Sequence, residues 1–381
     1  IMMLSDSLRK NTVANALILR NIDIGKDGAL FLTPMLKTTT SLRTLHLEDT
    51  RGEGQVAVAL ALALNSSSSL RVLHLKGNWV DPKSASSLGM MLTKNQSLIE
   101  LRLCHNRIDQ NSAAAIAQGM KSNTKLRVLD LLGNAIDDVS LTHIANGLTK
   151  NTTLEFLCLD FNHFGNAGVE ALAACLTSNR GIKELHLFGN HITPVGAEFL
   201  AMALYKNRTL ESLILSYNQI GDQGATALAE ALTVNSTVRK IWFPSNLIGN
   251  EGLCAFARHL PKMTALQELN VGDFFDNEGA QALLDGLKIN TSLSALFLES
   301  PVYDNDWMDQ QIDFYLRLNR SGRRLLAQDY GNGVPAALWP TLLARSTVFF
   351  QNNATTPDVL YYLLRQKPDL LEVRKNQCSN F

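Results

Sequence analysis

Apolar residues recur along most of this chain in the order L-x-x-L-x-L-x-x-N-x-I. Clear copies are Leu70, Leu73, Leu75, Asn78, Val80; Leu98, Leu101, Leu103, Asn106, Ile108; and Leu210, Leu213, Leu215, Asn218, Ile220. Alternation across the L-x-L core predicts a short half-buried strand. The opening position of each copy falls at Leu42, Leu70, Leu98, Leu126, Leu154, Ile182, Leu210, Val238 and Leu266, so eight successive intervals are 28 residues. A degenerate copy through Leu17, Leu19, Ile22 and Ile24 precedes them. A last one through Leu293, Leu296 and Leu298 is one residue short of the period, and the expected total is eleven strands.

Between strands the apolar period changes from two to about 3.6, which predicts a helix. Gly224, Leu228 and Leu232 show it, as do Gly196, Leu200, Leu204 and Gly168, Leu172, Leu176, while Ser112, Ile116 and Met120 carry serine in the small position. Spacing of i, i+4 stacks these side chains on one face, and the small first residue is expected to let the helix approach the strand layer. Ala145, Ala173, Ala201 and Ala229 extend the small-residue theme. Helices are expected to stop at Asn95, Asn123, Asn151, Asn179, Asn207 and Asn235, because asparagine tolerates a left-handed turn. A second asparagine ladder, Asn78, Asn106, Asn134, Asn162, Asn190, Asn218 and Asn246, stands where each strand ends, suited to satisfying backbone groups that leave the sheet. It is missing at Thr50, Phe274 and Pro301.

Strand, turn, helix and turn, repeated, predict an α/β right-handed solenoid, a horseshoe with parallel strands on the concave face and helices on the convex face. The units resemble the ribonuclease-inhibitor subfamily of leucine-rich repeats, found also in Ran GTPase-activating proteins and nucleotide-binding immune receptors; the resemblance spans about residues 4–300. Mammalian ribonuclease inhibitors alternate 28- and 29-residue units and are cysteine-rich. This chain keeps 28 and has five cysteines, which is closer to the other two families. The resemblance implies a binding scaffold, and it raises regulation of a Ran-like GTPase as an alternative. Ran GTPase activators usually continue into a strongly acidic tail, whereas residues 302–381 balance eight acids with nine basic residues, Arg323, Arg324, Arg345, Arg365 and Lys367 among them, and no residue aligns to their functional positions.

The register bears on both ends. Leu4, Leu8 and Asn11 precede Leu228, Leu232 and Asn235 by 224 residues, eight periods, so the chain is expected to open inside a repeat helix, with further residues, and room for a targeting segment, upstream. After residue 300 the period fails, dividing a solenoid (1–301) from a helical capping region (302–381). Trp307 puts aromatic bulk where a small residue would stand, and Asp304 to Leu318 is expected to form a capping helix begun by Asp304 or Asp306. Two more helices are expected, one through Ala336, Leu338, Trp339, Leu342 and Leu343, the other from Thr356-Pro357-Asp358 through Leu360, Leu363 and Leu364 to Lys367-Pro368.

Composition narrows the function. Lys plus Arg equals Asp plus Glu at 35 each, so nothing favours nucleic acid. Cys104, Cys158, Cys175, Cys254 and Cys378 form no metal-ligand spacing and read as reduced thiols. No apolar run approaches the length of a membrane span. Asn-x-Ser/Thr triplets at Asn95, Asn151, Asn207 and Asn290 sit at one place in the repeat, the turn before a strand, where backbone needs explain them. An intracellular, most readily cytoplasmic, compartment is expected.

Along each strand the leucines point inward and the intervening positions project from the concave face, so equal offsets form rows about 4.8 Å apart per step. The middle row reads His46, His74, Arg102, Asp130, Cys158, His186, Ile214, Trp242, Asn270. Flanking rows contain Glu100, Val128, Phe156, Glu184 and Lys240, and Glu48, Lys76, Cys104, Leu132, Asp160, Phe188 and Ser216; just beyond stand His105, Phe161, Tyr217 and Asp273. The face divides into a charged half with imidazoles (His46, His74, Arg102, Asp130) and an aromatic half (Phe156, Phe161, Phe188, Tyr217, Trp242, with His186 among them). Exposed aromatics on a rigid sheet are typical anchors for a protein partner. The alternatives are that Phe161 and Phe188 fold back over the turn, or that the C-terminal region covers the patch.

Other chemistry has fewer candidates. His46 and His74, with Glu48, Asp49 and His105 nearby, could be assembled into a metal site, but zinc wants convergent ligands and side chains of a row run parallel; a proton-sensitive contact suits them better. Serines are explained by turns and caps, and no phosphate-binding glycine motif occurs. The expectation is a non-catalytic scaffold without metal or cofactor that binds a protein partner on its concave face, as the recognition arm or a subunit of a larger assembly.

Overall fold

The computed structural model describes residues 1–65, 69–272, 274–298, 300 and 304–324. The eleven expected strands are present: β1 Ala16–Arg20, β2 Thr44–Glu48, β3 Val72–His74, β4 Glu100–Arg102, β5 Val128–Asp130, β6 Phe156–Cys158, β7 Glu184–His186, β8 Ser212–Ile214, β9 Lys240–Trp242, β10 Glu268–Val271 and β11 Ala295–Leu298. They form one open sheet in sequence order, every neighbouring pair parallel. Pairing joins equal repeat positions, so His46 faces His74 and Cys158 faces His186. A helix lies between each pair of strands, making this an α/β leucine-rich-repeat solenoid. Packed helices need about 8–10 Å each and paired strands about 4.8 Å, so the sheet takes the inner curve.

One core runs through the array. Leu45, Leu73, Leu101, Leu129, Leu157, Leu185, Leu213, Ile241 and Leu269 are fully buried at strand centres, against Leu60, Leu88, Ile116, Ile144, Leu172, Leu200 and Leu228 from the helices. Truncating one such leucine to alanine costs about 2–5 kcal/mol. The small helix positions also make room for the neighbouring helix: a β-carbon on Gly224 would lie 2.5 Å from Ile220 Cγ2, at the end of the segment that follows β8, and 2.8 Å from Ala197 Cβ of the preceding helix, Pro194–Leu204.

Both asparagine ladders are buried. Asn106 donates through Nδ2 to Leu75 O (2.7 Å) and Cys104 O (3.0 Å), and its Oδ1 accepts from Asn78 N (2.9 Å) and Val80 N (3.3 Å), so one amide ties consecutive repeats. Where the ladder is missing at residue 50, buried Thr50 bonds to Asn78 Oδ1 with its amide and hydroxyl. The helix-ending asparagines depart from expectation. Asn95, Asn179 and Asn290 have φ of −69°, −63° and −64° with extended ψ, not a left-handed turn. Their job is done by the side chain: Asn95 Oδ1 accepts from Ser97 N and Leu98 N while Nδ2 donates to Leu64 O of the preceding repeat. Asn95, Asn151, Asn207 and Asn290 are all buried and bonded this way, which accounts for their Asn-x-Ser/Thr context by backbone satisfaction.

The chain starts in helix Met2–Arg9, whose Ile1, Leu4 and Leu8 pack on the core and whose Ser5 hydroxyl donates to Phe31 O (2.5 Å). At the other end the helix is Asp306–Arg320, capped by Asn305, whose side chain accepts from Met308 N; neither Asp304 nor Asp306 is the cap. Trp307 is exposed, and Asn319 Nδ2 donates to Asn290 O and Leu293 O, extending the helix-end ladder one step. The helices expected through Ala336–Leu343 and Thr356–Leu364, along with Pro301, Asp273 and Cys378, lie outside the described residues. Among the described residues no helix is long and apolar enough to cross a membrane.

Candidate functional site

The charged half of the concave face is a chain of mutual contacts. His46 and His74 stack at 3.8 Å between ring centroids, 11° from parallel. His74 Nε2 lies 2.8 Å from Glu100 Oε1, which also accepts from Arg102 Nε at 2.6 Å, and Arg102 Nη1 reaches Asp130 Oδ2 at 3.0 Å. Burial alone would raise the Glu100 carboxyl, but donors from Arg102 and His74 outweigh it and hold it below the usual range. Burial, then the adjacent His74 ring, holds His46 below the ordinary imidazole value. Asp130 is buried, and Arg102 is the cation that pairs it. His74, Glu100, Arg102 and Asp130 thus pair with one another, whereas the buried His46 Nδ1 has no hydrogen-bond partner among the described residues.

The aromatic half is assembled differently than the rows alone suggested. Phe161, Phe188 and Tyr217 form a continuous run, with centroids 4.7 Å apart for Phe161–Phe188 and 4.8 Å for Phe188–Tyr217. Phe161 is 53% exposed and Tyr217 59%, with Phe188 half-buried between them. Phe156 sits edge-on to His186 at 4.9 Å. Trp242 belongs to a different group, half-buried with the Lys240 ammonium 3.7 Å over its ring and Phe297 of β11 at 6.2 Å.

A backbone feature underlies the exposed rings. Residues 49, 77, 105, 133, 161, 189, 217 and 245, at 28-residue steps, all have positive φ: Asp49, Gly77, His105, Gly133, Phe161, Gly189, Tyr217 and Ser245. Left-handed backbone costs an ordinary residue about 1–2 kcal/mol, and bulky residues there are outliers. Phe161 (φ 51°) and Tyr217 (φ 56°) occupy it while presenting their rings to solvent. Phe161 does cover the turn at Gly189, as one sequence alternative held, yet keeps half its surface exposed.

Sequence reading missed three features. Phe297 joins the concave surface from the last strand. At the rim, Arg51, Trp79 and Arg107 form another 28-residue row with positive φ, the Arg107 guanidinium 4.6 Å over the Trp79 ring. Trp79 and Arg51 line a cleft of 510 Å³ with Asn21, Asp49, Gly77 and Asn78. The spacing was visible; its convergence was not. Third, donor atoms of Cys158, Asp160 and His186 lie within 4.8 Å of one another; those of His46, Glu48 and His74, a set the sequence did suggest, do likewise. For His186, burial lowers the imidazole, but Asp160 and Glu184 outweigh it and hold it above its ordinary value.

A family model described as leucine rich repeat matches residues 66–89, 122–145, 150–173, 178–201 and 206–229. No curated protein sequence matches the chain. Among solved structures, leiomodin-1 actin-binding site 2 is similar at 27% identity with a TM-score of 0.28, over 28% of this chain and 64% of that one. The tropomodulin C-terminal domain of Caenorhabditis elegans is similar at 18% identity with a TM-score of 0.34, over 39% of this chain and 91% of that one. This chain thus spans a little under two thirds of the leiomodin structure.

Proposed function

We propose that this leucine-rich-repeat protein is a non-catalytic scaffold that binds a protein partner on its concave face, with the Phe161–Phe188–Tyr217 run as the anchor. One observation carries this reading: two aromatic rings are held in solvent on left-handed backbone, in contact through a third. Strained backbone persists where the surrounding structure over-determines it and concentrates at binding sites, and aromatic anchors dominate interface energetics. His186, Phe156 and Trp242 extend the contact area; His46, His74, Arg102 and Asp130 supply polar selectivity beside it. The 28-residue strand-turn-helix unit supports placing the repeats in the ribonuclease-inhibitor subfamily.

The test is affinity capture with the full chain against a variant combining Phe188→Ala, Tyr217→Ala and Trp242→Ala. Loss of each true anchor weakens binding by about 2 kcal/mol or more, so the partner disappears from the capture while the variant retains the circular dichroism of the parent. Retention of the partner by a folded variant overturns the reading. Stimulated GTP hydrolysis by a panel of small GTPases would instead favour the regulator alternative.

A further inference from the structure

Near the middle of the concave face, a thiol, a carboxylate and an imidazole come together across two strands. Cys158 of β6 and His186 of β7 are register partners, and Asp160 follows Cys158 by two residues, so parallel pairing puts all three on one side of the sheet. Cys158 Sγ, an Asp160 carboxylate oxygen and a His186 ring nitrogen lie within 4.8 Å of one another. Cys158 is 3% exposed, and the other two are half-buried.

Orientation separates this cluster from the paired histidines. His186 Nε2 lies 2.8 Å from Glu184 Oε1, which fixes the ring and leaves Nδ1 facing Asp160 Oδ2 at 3.7 Å. A carboxylate on the far nitrogen is how metal-binding imidazoles are generally oriented and made more basic. The other Asp160 oxygen, Oδ1, accepts the Phe188 amide at 2.8 Å, so that carboxylate is positioned too. At His46 and His74 the rings stack face to face, and the lone pairs of stacked rings lie in parallel planes that do not converge on one ion.

We propose that Cys158, Asp160 and His186 form a binding site for a zinc-class divalent ion, with Glu184 as its positioning residue. In tetrahedral zinc sites bonds of about 2.0–2.3 Å place donors about 3.3–3.8 Å apart. The Asp160–His186 pair already has that spacing, and the thiol closes the remainder by side-chain rotation. The mixed sulfur, nitrogen and oxygen set suits zinc or cobalt(II); magnesium and calcium want oxygen alone. Three protein ligands leave a fourth position for water or for a donor atom of a bound molecule. On binding, the Cys158 S–H proton is released to solvent and the thiolate bonds to the ion; no electron is transferred.

Cobalt(II) titration of the chelator-treated full chain tests this. The expected result is a saturable thiolate-to-cobalt absorption band with tetrahedral visible bands at one equivalent, removed by zinc. Cys158→Ser abolishes the charge-transfer band, whereas Cys175→Ser and His46→Ala leave it intact. Glu184→Gln keeps the band but weakens cobalt affinity by about 10- to 100-fold, and this variant at a half-buried surface position guards against loss of fold in the cysteine mutant. Absence of a thiolate band in the parent chain, or its persistence in Cys158→Ser, overturns the site; unchanged affinity in Glu184→Gln overturns the positioning role.

Discussion

The Phe161 ring lies over Gly189 of the next repeat, so close that a β-carbon on that glycine would stand 2.8 Å from Phe161 Cδ1. The same relation joins Asp49 to Gly77 and His105 to Gly133. From Asp49 to Tyr217 larger side chains and glycines alternate along one left-handed row because the larger one needs the space above its neighbour. Gly189→Ala is therefore expected to destabilise the protein by about 2–3 kcal/mol, from φ +66° and the blocked ring together. Phe161→Ala in the same chain should recover the clash component and leave the backbone component. Urea midpoints of the two single variants and the double variant measure this; strictly additive effects would contradict the contact.

Removing one rung of the inner ladder tests the account of repeat stacking. Asn106→Ala strips partners from two carbonyls and two amides that the side chain serves. Leaving buried backbone groups unmet costs about 1–3 kcal/mol each before relaxation, and the net expected loss is about 2–4 kcal/mol. Asn106→Asp keeps both accepted bonds and loses both donated ones, so it too should destabilise. Chemical denaturation followed by circular dichroism gives the values. A loss under about 0.5 kcal/mol, the scale of surface substitutions, would remove the ladder from the explanation.

His46 supplies a pH dependence with a defined sign. Burial and His74 depress its imidazole, Arg20 adds to this, and Glu48 and Glu100 oppose it. Between the depressed native value and the ordinary value near 6.5, the unfolded chain binds more protons than the native one, so His46 makes stability fall as pH drops through that window. Above about 6.5 the contribution is constant. In proton NMR the His46 ring should titrate below a free histidine, and His46→Gln should reduce the acid-side slope of melting temperature against pH. A normal titration midpoint would refute the burial argument.

The thiols should react in order of burial. Burial pushes the Cys175 thiol up to about 11; burial also raises Cys254, but that residue is only half-buried whereas Cys175 is buried. Iodoacetamide at pH 8, followed by peptide mass mapping, is expected to label Cys254 well before Cys175, and urea should erase the difference. Equal rates in the native protein would mean that the convex helices open far more readily than their packing implies.

The sequence determined the repeat. Placement of eleven strands, the two asparagine ladders and the concave rows all follow from side chains recurring every 28 residues, because parallel in-register pairing converts sequence period directly into spatial adjacency. Where a residue's role depended on local conformation the reading was less secure: Asn95 ends its helix through its amide side chain in extended backbone, and Asn305 rather than an aspartate caps the last described helix. Tertiary structure alone decided which members of a row touch. Phe161, Phe188 and Tyr217 join, Trp242 turns to Lys240 and Phe297, and Glu184 aims one face of His186 toward Asp160 and Cys158. A row fixes only where Cβ atoms stand; rotamers, tautomers and left-handed turns, each worth a few kcal/mol and set by neighbours on both sides, choose the contacts.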